Sequence, residues 1–220
     1  MLPPRNSTPL SHRAQQKRSV QTAYRIVEVA IALARKGELA DTPMSRIAEA
    51  AGVSIGGLYG RFASRPELEL AVFERHTTLV TETFEAELAP SALEGIPARD
   101  VVRRFAQLLV GLFTGPEREL ARQASIFLRY STSEPPADIF TRLNQRCHAM
   151  LHDALLARRD ELRHEDPDAA VIFVDLAMSA AAREQLLYSA PGLPSAGDAP
   201  APDEVVDRLT DLGCGYLGIT

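Results

Sequence analysis

Apolar residues recur at intervals of three and four along most of the 220-residue chain, and no stretch sustains the two-residue alternation of a half-buried strand. Residues three or four apart share one face of a helix, whereas a strand puts successive residues on opposite faces. The pattern therefore predicts an all-α protein with no sheet. Helices are expected over residues 19–36, from Pro43, from Ser54, and over 64–88, 98–114, 117–130, 136–163, 167–189 and 203–218. In the first, Tyr24, Val27, Ile31 and Ala34 form the expected buried stripe. Gly37 follows Arg35 and Lys36 as a helix stop. Thr42 is expected as N-cap of the second helix with Pro43 at its first position. Ser64 and Glu67 have the spacing of a capping box.

Charge divides this pattern. Up to Arg75 there are 11 basic and seven acidic residues, so that part carries +4, while the whole chain carries −5. A basic module on an acidic body suits a polyanion at one end. Residues 1–18, with three prolines and the cations Arg5, Arg13, Lys17 and Arg18, read as a flexible basic arm. The arm either lies in a minor groove or serves as a solubilising tail. A proline-bounded break at 90–97 separates the basic part from the acidic part, and 191–202 reads as a long loop.

The most informative segment runs from Met44 to Phe62: M-S-R-I-A-E-A-A-G-V-S-I-G-G-L-Y-G-R-F. Two short helices with a glycine in the turn between them make a helix-turn-helix. Ala48 is small where the helices cross, Gly52 can take positive φ, and Ile47, Val53, Leu58 and Phe62 hold the second helix at a fixed angle for a major groove.

This segment resembles the TetR family of bacterial transcriptional regulators. The resemblance rests on Ile47-Ala48-Glu49, Ala51-Gly52-Val53-Ser54, Gly56, Leu58-Tyr59, Phe62 and Ser64-Arg65, within a match over 23–70. It implies an N-terminal three-helix DNA-binding domain at 19–63 and a helical ligand-binding and dimerisation domain at 64–220. It implies that Tyr59 donates to a DNA phosphate, that Arg65 meets phosphate at the start of the fourth helix, and that Thr42 does likewise at the second. Base reading is left to Ser45, Ser54 and Ile55, the last through a thymine methyl. Arg61 is either a base reader or a phosphate contact. Gly57 stands with Gly56 and Gly60 in the recognition helix. These glycines either allow close approach to DNA or are tolerated because packing carries the helix.

The resemblance also implies a cytoplasmic homodimer that binds double-stranded DNA as a repressor and leaves it when a small-molecule effector binds. The alternative is a helical enzyme or small-molecule binder with a vestigial helix-turn-helix. Phe105, Phe113, Phe127, Tyr130, Phe140 and Met150 are expected as pocket walls, and Arg122, Arg129, Asn144 and His148 as polar contacts. Dimerisation is expected from the last two helices, through Ile172, Asp175, Ser179, Ala182 and Leu186 and through Val205, Val206, Leu209, Leu212 and Tyr216. No catalytic motif, cofactor or metal is expected. Cys147, His148 and His152 lack further ligands, and they line a cavity or face solvent instead. Two isolated cysteines suit a reducing compartment. The most apolar stretch, 169–182, is interrupted by Asp175 and too short for a membrane span. The charged runs 158–161 and 163–166 read as a solvated face.

Overall fold

The computed structural model describes residues 9–130, 136–188 and 200–220, with side chains described for 17–127, 138–187 and 200–220. Every regular element among them is helical. The chain divides into two compact units, Met1–Arg75 and His76–Thr220.

In the first unit, α1 (Pro9–Arg35) precedes α2 (Met44–Ala50), α3 (Ile55–Tyr59) and the first part of α4 (Arg65–Glu87). Helix α1 extends into the stretch expected as an arm, whose first eight residues lie outside the described ones. Its buried stripe is Ile26, Val27, Ala30, Ile31 and Ala34. Tyr24 falls at the edge of that stripe and is 51% exposed, a correction to the sequence reading. Its ring lies under the Arg75 guanidinium, 5.6 Å from the ring centroid.

Residues 36–43 join α1 to α2 by a turn with Gly37 at φ 75°. Here too the cap differs from expectation. Thr42 turns its hydroxyl back to donate to the Glu38 carbonyl at 2.7 Å, so it does not cap α2. Pro43 occupies the N-cap position with extended φ and ψ of −59° and 145°, and α2 starts at Met44. Gly52 adopts φ 65° in the turn to α3, as its place in the motif requires. The start of α4 carries a shifted form of the capping box: Ser64 Oγ accepts from Glu67 N at 3.4 Å, but Glu67 Oε2 accepts from the amide of Ala63, one residue before the cap, at 2.6 Å.

The second unit is built around α5 (Ala98–Thr114), which packs against α6 (Arg118–Tyr130), α7 (Pro136–Leu156), α8 (Pro167–Arg183) and α9 (Pro202–Leu217). Eight of its residues are buried, at three- and four-residue spacing, from Ala98 to Phe113. Burying a side chain such as Phe105 stabilises by about 2–3 kcal/mol each. Where α9 meets α5 and α8, Gly213 has no room for a side chain. A Cβ there would lie 2.8 Å from Val102 and 3.1 Å from Met178 Sδ.

Helix α7 ends at Leu156, short of the expected 163, and a single 3₁₀ turn follows at Arg159–Glu161. The reason is the run expected as a solvated face. Arg158 folds back and donates to the carbonyls of Ile96 at 2.5 Å, Ala154 at 2.6 Å and Leu93. Glu161 Oε2 accepts from Ala98 N at 2.8 Å, capping α5 where Pro97 has no side chain to do so. After α8 the chain makes a π-helical turn at Glu184–Tyr188. The expected loop at 191–202 lies largely outside the described residues.

Candidate nucleic-acid interface and cavity

Packing sorts the side chains of the helix-turn-helix. Met44, Ile47, Ala48, Ala51, Leu58 and Phe62 are buried and fix α3 against the unit. Ile55 and Tyr59, four apart on α3, are 43% and 48% exposed. Among the described residues neither Tyr59 nor the exposed Ser45 makes a side-chain hydrogen bond, so both hydroxyls are available to a partner. Gly56 lies between Ile55 and Tyr59 on open ground, with no atom within 4 Å of where its Cβ would stand. Together these residues give α3 an outer face of low relief, with two exposed side chains flanking bare backbone.

The other expected contacts are engaged within the unit. Ser54 is the N-cap of α3, its Oγ accepting from Gly57 N at 3.0 Å. That contact explains Gly57: a Cβ would lie 3.1 Å from the capping oxygen. Arg61 donates to the Gly57 carbonyl at 2.7 Å and to the Ser19 carbonyl at 3.4 Å. Arg65 donates to the Leu39 carbonyl at 2.7 Å and to the Thr42 carbonyl, and lies 3.9 Å from Glu69. Burial raises the Glu69 carboxyl above its usual range, partly offset by Arg65. Arg61 and Arg65, both expected at DNA, thus hold segments of the unit together: Arg61 ties α3 to α1, and Arg65 ties the start of α4 to the link before α2. Sequence spacing gives no sign of the longer-range ties, because Ser19, Leu39 and Thr42 offer backbone carbonyls from other segments.

The second unit contains a cavity of about 560 Å³ bounded by α4 through α8. Of the expected wall and contact residues it gathers Phe105, Phe113, Phe140, Asn144 and His148. Arg122 and Phe127 are not among its walls. Arg122 pairs with Glu119 on its own helix at 2.5 Å, holding that carboxyl down at about 2. Met150 lines a different cleft, beside residues 88–97. The side chains of Arg129 and Tyr130 lie outside the described residues.

The cavity also has polar groups that the sequence reading placed elsewhere or missed. Asp175 Oδ2 lies 3.1 Å from His148 Nδ1, and Asp175 Oδ1 accepts from Ser179 Oγ at 3.2 Å. Burial raises the Asp175 carboxyl, with the His148 contact acting against it. Sequence spacing places both α8 residues on the expected dimer face. Their signal was present in the sequence, since Asp175 is the one charge in the most apolar stretch. His76 and Thr77 on α4, Ser125 on α6, Gln145 on α7 and Arg183 on α8 add to the polar lining, and His76 is 5% exposed. Beside them, burial pushes the Cys147 thiol up to about 12, so it stays protonated and is no nucleophile at neutral pH. His152 turns to Asp168, with Nε2 at 3.3 Å. Among the described residues no three His, Cys, Asp or Glu side chains are grouped to hold a metal ion.

The expected dimer face needs a second correction. Ala182, Val205, Val206 and Leu209 are buried inside this unit. The apolar residues left exposed are Ile172, Phe173 and Leu176 on α8 and Leu212 and Tyr216 on α9. No described helix is long and apolar enough to cross a membrane.

A helix-turn-helix with its second helix presented outward, followed by a helical unit with a cavity, is the architecture of a class of DNA-binding regulators. Residues 26–72 match the model of the bacterial regulatory proteins of the tetR family. Solved structures share the fold over nearly the whole chain. A tetR-family regulatory protein from Rhodococcus RHA1 is 20% identical, with a TM-score of 0.63, covering 90% of this chain and 98% of its own. A transcriptional regulator from Saccharomonospora viridis in complex with choline is 18% identical, with a TM-score of 0.64 and coverages of 87% and 95%. The regulator FadR from Bacillus subtilis in complex with stearoyl-CoA is 14% identical, with a TM-score of 0.58 and coverages of 90% and 99%. No curated protein sequence matches the chain. The N-terminal residues 26–72 thus match the DNA-binding domain of the tetR family, and the described chain as a whole shares the fold of these solved structures.

Proposed function

We propose that this regulator is a cytoplasmic repressor that binds operator DNA as a two-fold homodimer and leaves it when a small molecule occupies the cavity of the second unit. The observation that carries the reading is the outer face of α3, where Ile55 and Tyr59 are exposed on either side of Gly56 while Leu58 is fully buried. Tyr59 donates to a phosphate, Ile55 packs on a thymine methyl, and Ser45 contacts DNA from α2. Gly56 lets backbone approach the duplex, while Gly57 leaves room for the Ser54 cap. Thr42, Ser54, Arg61 and Arg65 act mainly by holding α3 in place, because their polar atoms already have partners within the unit.

The effector reading is supported by the cavity and by the structural neighbours crystallised with choline and with stearoyl-CoA. Binding there shifts the DNA-competent population by the ligand's differential affinity for the two states. Exposed Phe173, Leu176, Leu212 and Tyr216 support a dimer built on α8 and α9. The test is a DNA-shift assay with fragments flanking the gene on its own genome, run from 50 to 200 mM salt. The expected result is a specific shift whose affinity falls with salt by roughly −0.9 per phosphate contacted, in log–log terms. A thermal-shift screen then supplies cavity ligands, each of which should release the fragment. Absence of binding to every fragment overturns the reading, and ligands that stabilise the protein without releasing DNA overturn the effector role.

A further inference from the structure

We propose that the cavity takes a neutral aromatic molecule of two or more rings carrying a weakly acidic hydroxyl, which donates a hydrogen bond to Nε2 of His148. The inference rests on reading this cavity as the effector site, and adds the chemical class of the occupant.

Size and walls come first. An apolar cavity of about 150 Å³ holds one benzene ring. At about 560 Å³ this one has room for a larger ring system. Four phenyl rings face it, from Phe84, Phe105, Phe113 and Phe140, and the first two are already edge to face at 5.9 Å between centroids. Aromatic pairs favour such offset and edge contacts, so further ring edges and faces suit these walls.

The polar end selects the functional group. Asp175 Oδ2 stands 3.1 Å from His148 Nδ1, and the neutral tautomer that gives this acceptor a donor carries its proton on Nδ1 and its lone pair on the other ring nitrogen. Among the described residues His148 makes its hydrogen bond through Nδ1 alone. Its ring neighbour His152 is 5.7 Å away between centroids and already faces Asp168. Nε2 is therefore an acceptor in search of a donor. Charge narrows the donor further. The part-buried Asp175 carboxylate opposes a second anion, while the Arg183 guanidinium on the same lining opposes a cation. Asp175 has each carboxylate oxygen engaged, one by His148 and one by Ser179, so it has little left to offer an ammonium group. A neutral hydroxyl satisfies all three conditions. An acidic one makes the stronger bond to an imidazole backed by a carboxylate.

The experiment titrates the full-length protein with 2-naphthol, 2-methoxynaphthalene, 2-naphthoate and 2-(aminomethyl)naphthalene, following naphthalene fluorescence, which no tryptophan obscures. The wild type should bind 2-naphthol about tenfold more tightly than its methyl ether, the worth of one hydrogen bond to a polarised partner. His148→Leu should bring 2-naphthol down to the affinity of the ether, with the ether's own affinity unchanged, which shows the cavity intact. Equal wild-type binding of naphthol and ether, tighter binding of the acid or the amine, or a preference that survives in His148→Leu each overturns the proposal. If His148→Leu does not fold, the wild-type ratio alone decides. Ether binding at the strength of naphthol leaves the cavity a ligand site and sinks only the hydroxyl. Failure of all four probes removes the cavity reading along with it.

Discussion

Arg65 Nη1 donates across 2.7 Å to the carbonyl oxygen of Leu39, a residue on the link between α1 and α2. Its second nitrogen reaches the Thr42 carbonyl on the same link. Removing the guanidinium leaves two part-buried acceptors without a protein partner, each costing about 1–3 kcal/mol if water does not replace it. Arg65→Ala is expected to lower the melting temperature by several degrees and to weaken DNA binding, with a salt slope within half a unit of wild type. Tyr59→Phe should do the converse, leaving melting unchanged and weakening DNA binding about tenfold through one lost phosphate bond. Differential scanning fluorimetry and salt-dependent shift assays separate the two. A slope flattened by a full unit in a normally melting Arg65→Ala protein would make Arg65 a direct phosphate contact.

Gly56 tests whether the glycines of α3 serve DNA or merely survive in the fold. A Cβ at Gly56 meets nothing within 4 Å, so Gly56→Ala introduces no clash inside the protein. Helix propensity alone favours alanine by about 1 kcal/mol. The variant should melt at or above the wild-type temperature, yet bind operator at least about tenfold more weakly, because the methyl group stands where the duplex approaches. Wild-type DNA affinity in a stabilised variant would assign the glycine no part in recognition.

What the sequence carries, and what it does not, follows from the range of the interactions. The helix-turn-helix is legible because its determinants are local: Gly52 at positive φ, Ser54 capping α3, Leu58 and Phe62 pointing inward. The all-helical pattern is legible for the same reason. The roles of Arg61, Arg65, Arg158 and Glu161 are not, because each reaches a backbone group far away in the sequence, as Arg61 does to the Ser19 carbonyl and Glu161 to the Ala98 amide. In the cavity, three-and-four spacing locates the phenylalanines but cannot say which side of α8 faces inward. Asp175 and Ser179 share that spacing with Ile172, and only the packed helices show that they turn toward His148.

The Glu119–Arg122 pair should leave a signature in acid. The Arg122 hydrogen bond holds the Glu119 carboxyl near 2, with Gln123 adding a second bond at 2.9 Å. A carboxyl depressed in the folded state contributes stability that is complete above its unfolded value of 4.5 and is lost as pH falls toward about 2. Solvent around a partly exposed pair cuts the contribution to about 1 kcal/mol. Glu119→Gln should therefore melt a few degrees lower at pH 7 and lose less stability than wild type between pH 4.5 and pH 3. Parallel melting curves for the two proteins across that interval would show that the pair adds nothing net.

The apolar surface of α8 and α9 gives the last prediction, and burial decides where to cut it. Leu209 is 2% exposed and belongs to the core of its own unit, so changing it to a charge would unfold the unit rather than separate two copies. Leu176 is 66% exposed and Phe173 48%, with the Phe173 ring against Tyr216 at 4.5 Å between centroids. Burying such side chains on association is worth about 1.5–3 kcal/mol each, and a charge in their place costs more than it removes. Leu176→Glu combined with Phe173→Ser should convert a dimer to a monomer at micromolar concentration, with helical content preserved. Because a two-fold operator engages two recognition helices together, that monomer should lose DNA affinity by a hundredfold or more, as expected when a tethered second contact is removed. Sedimentation equilibrium alongside circular dichroism reads both parts. A wild-type protein that sediments as a monomer, or a double variant that stays dimeric, moves the interface away from this face.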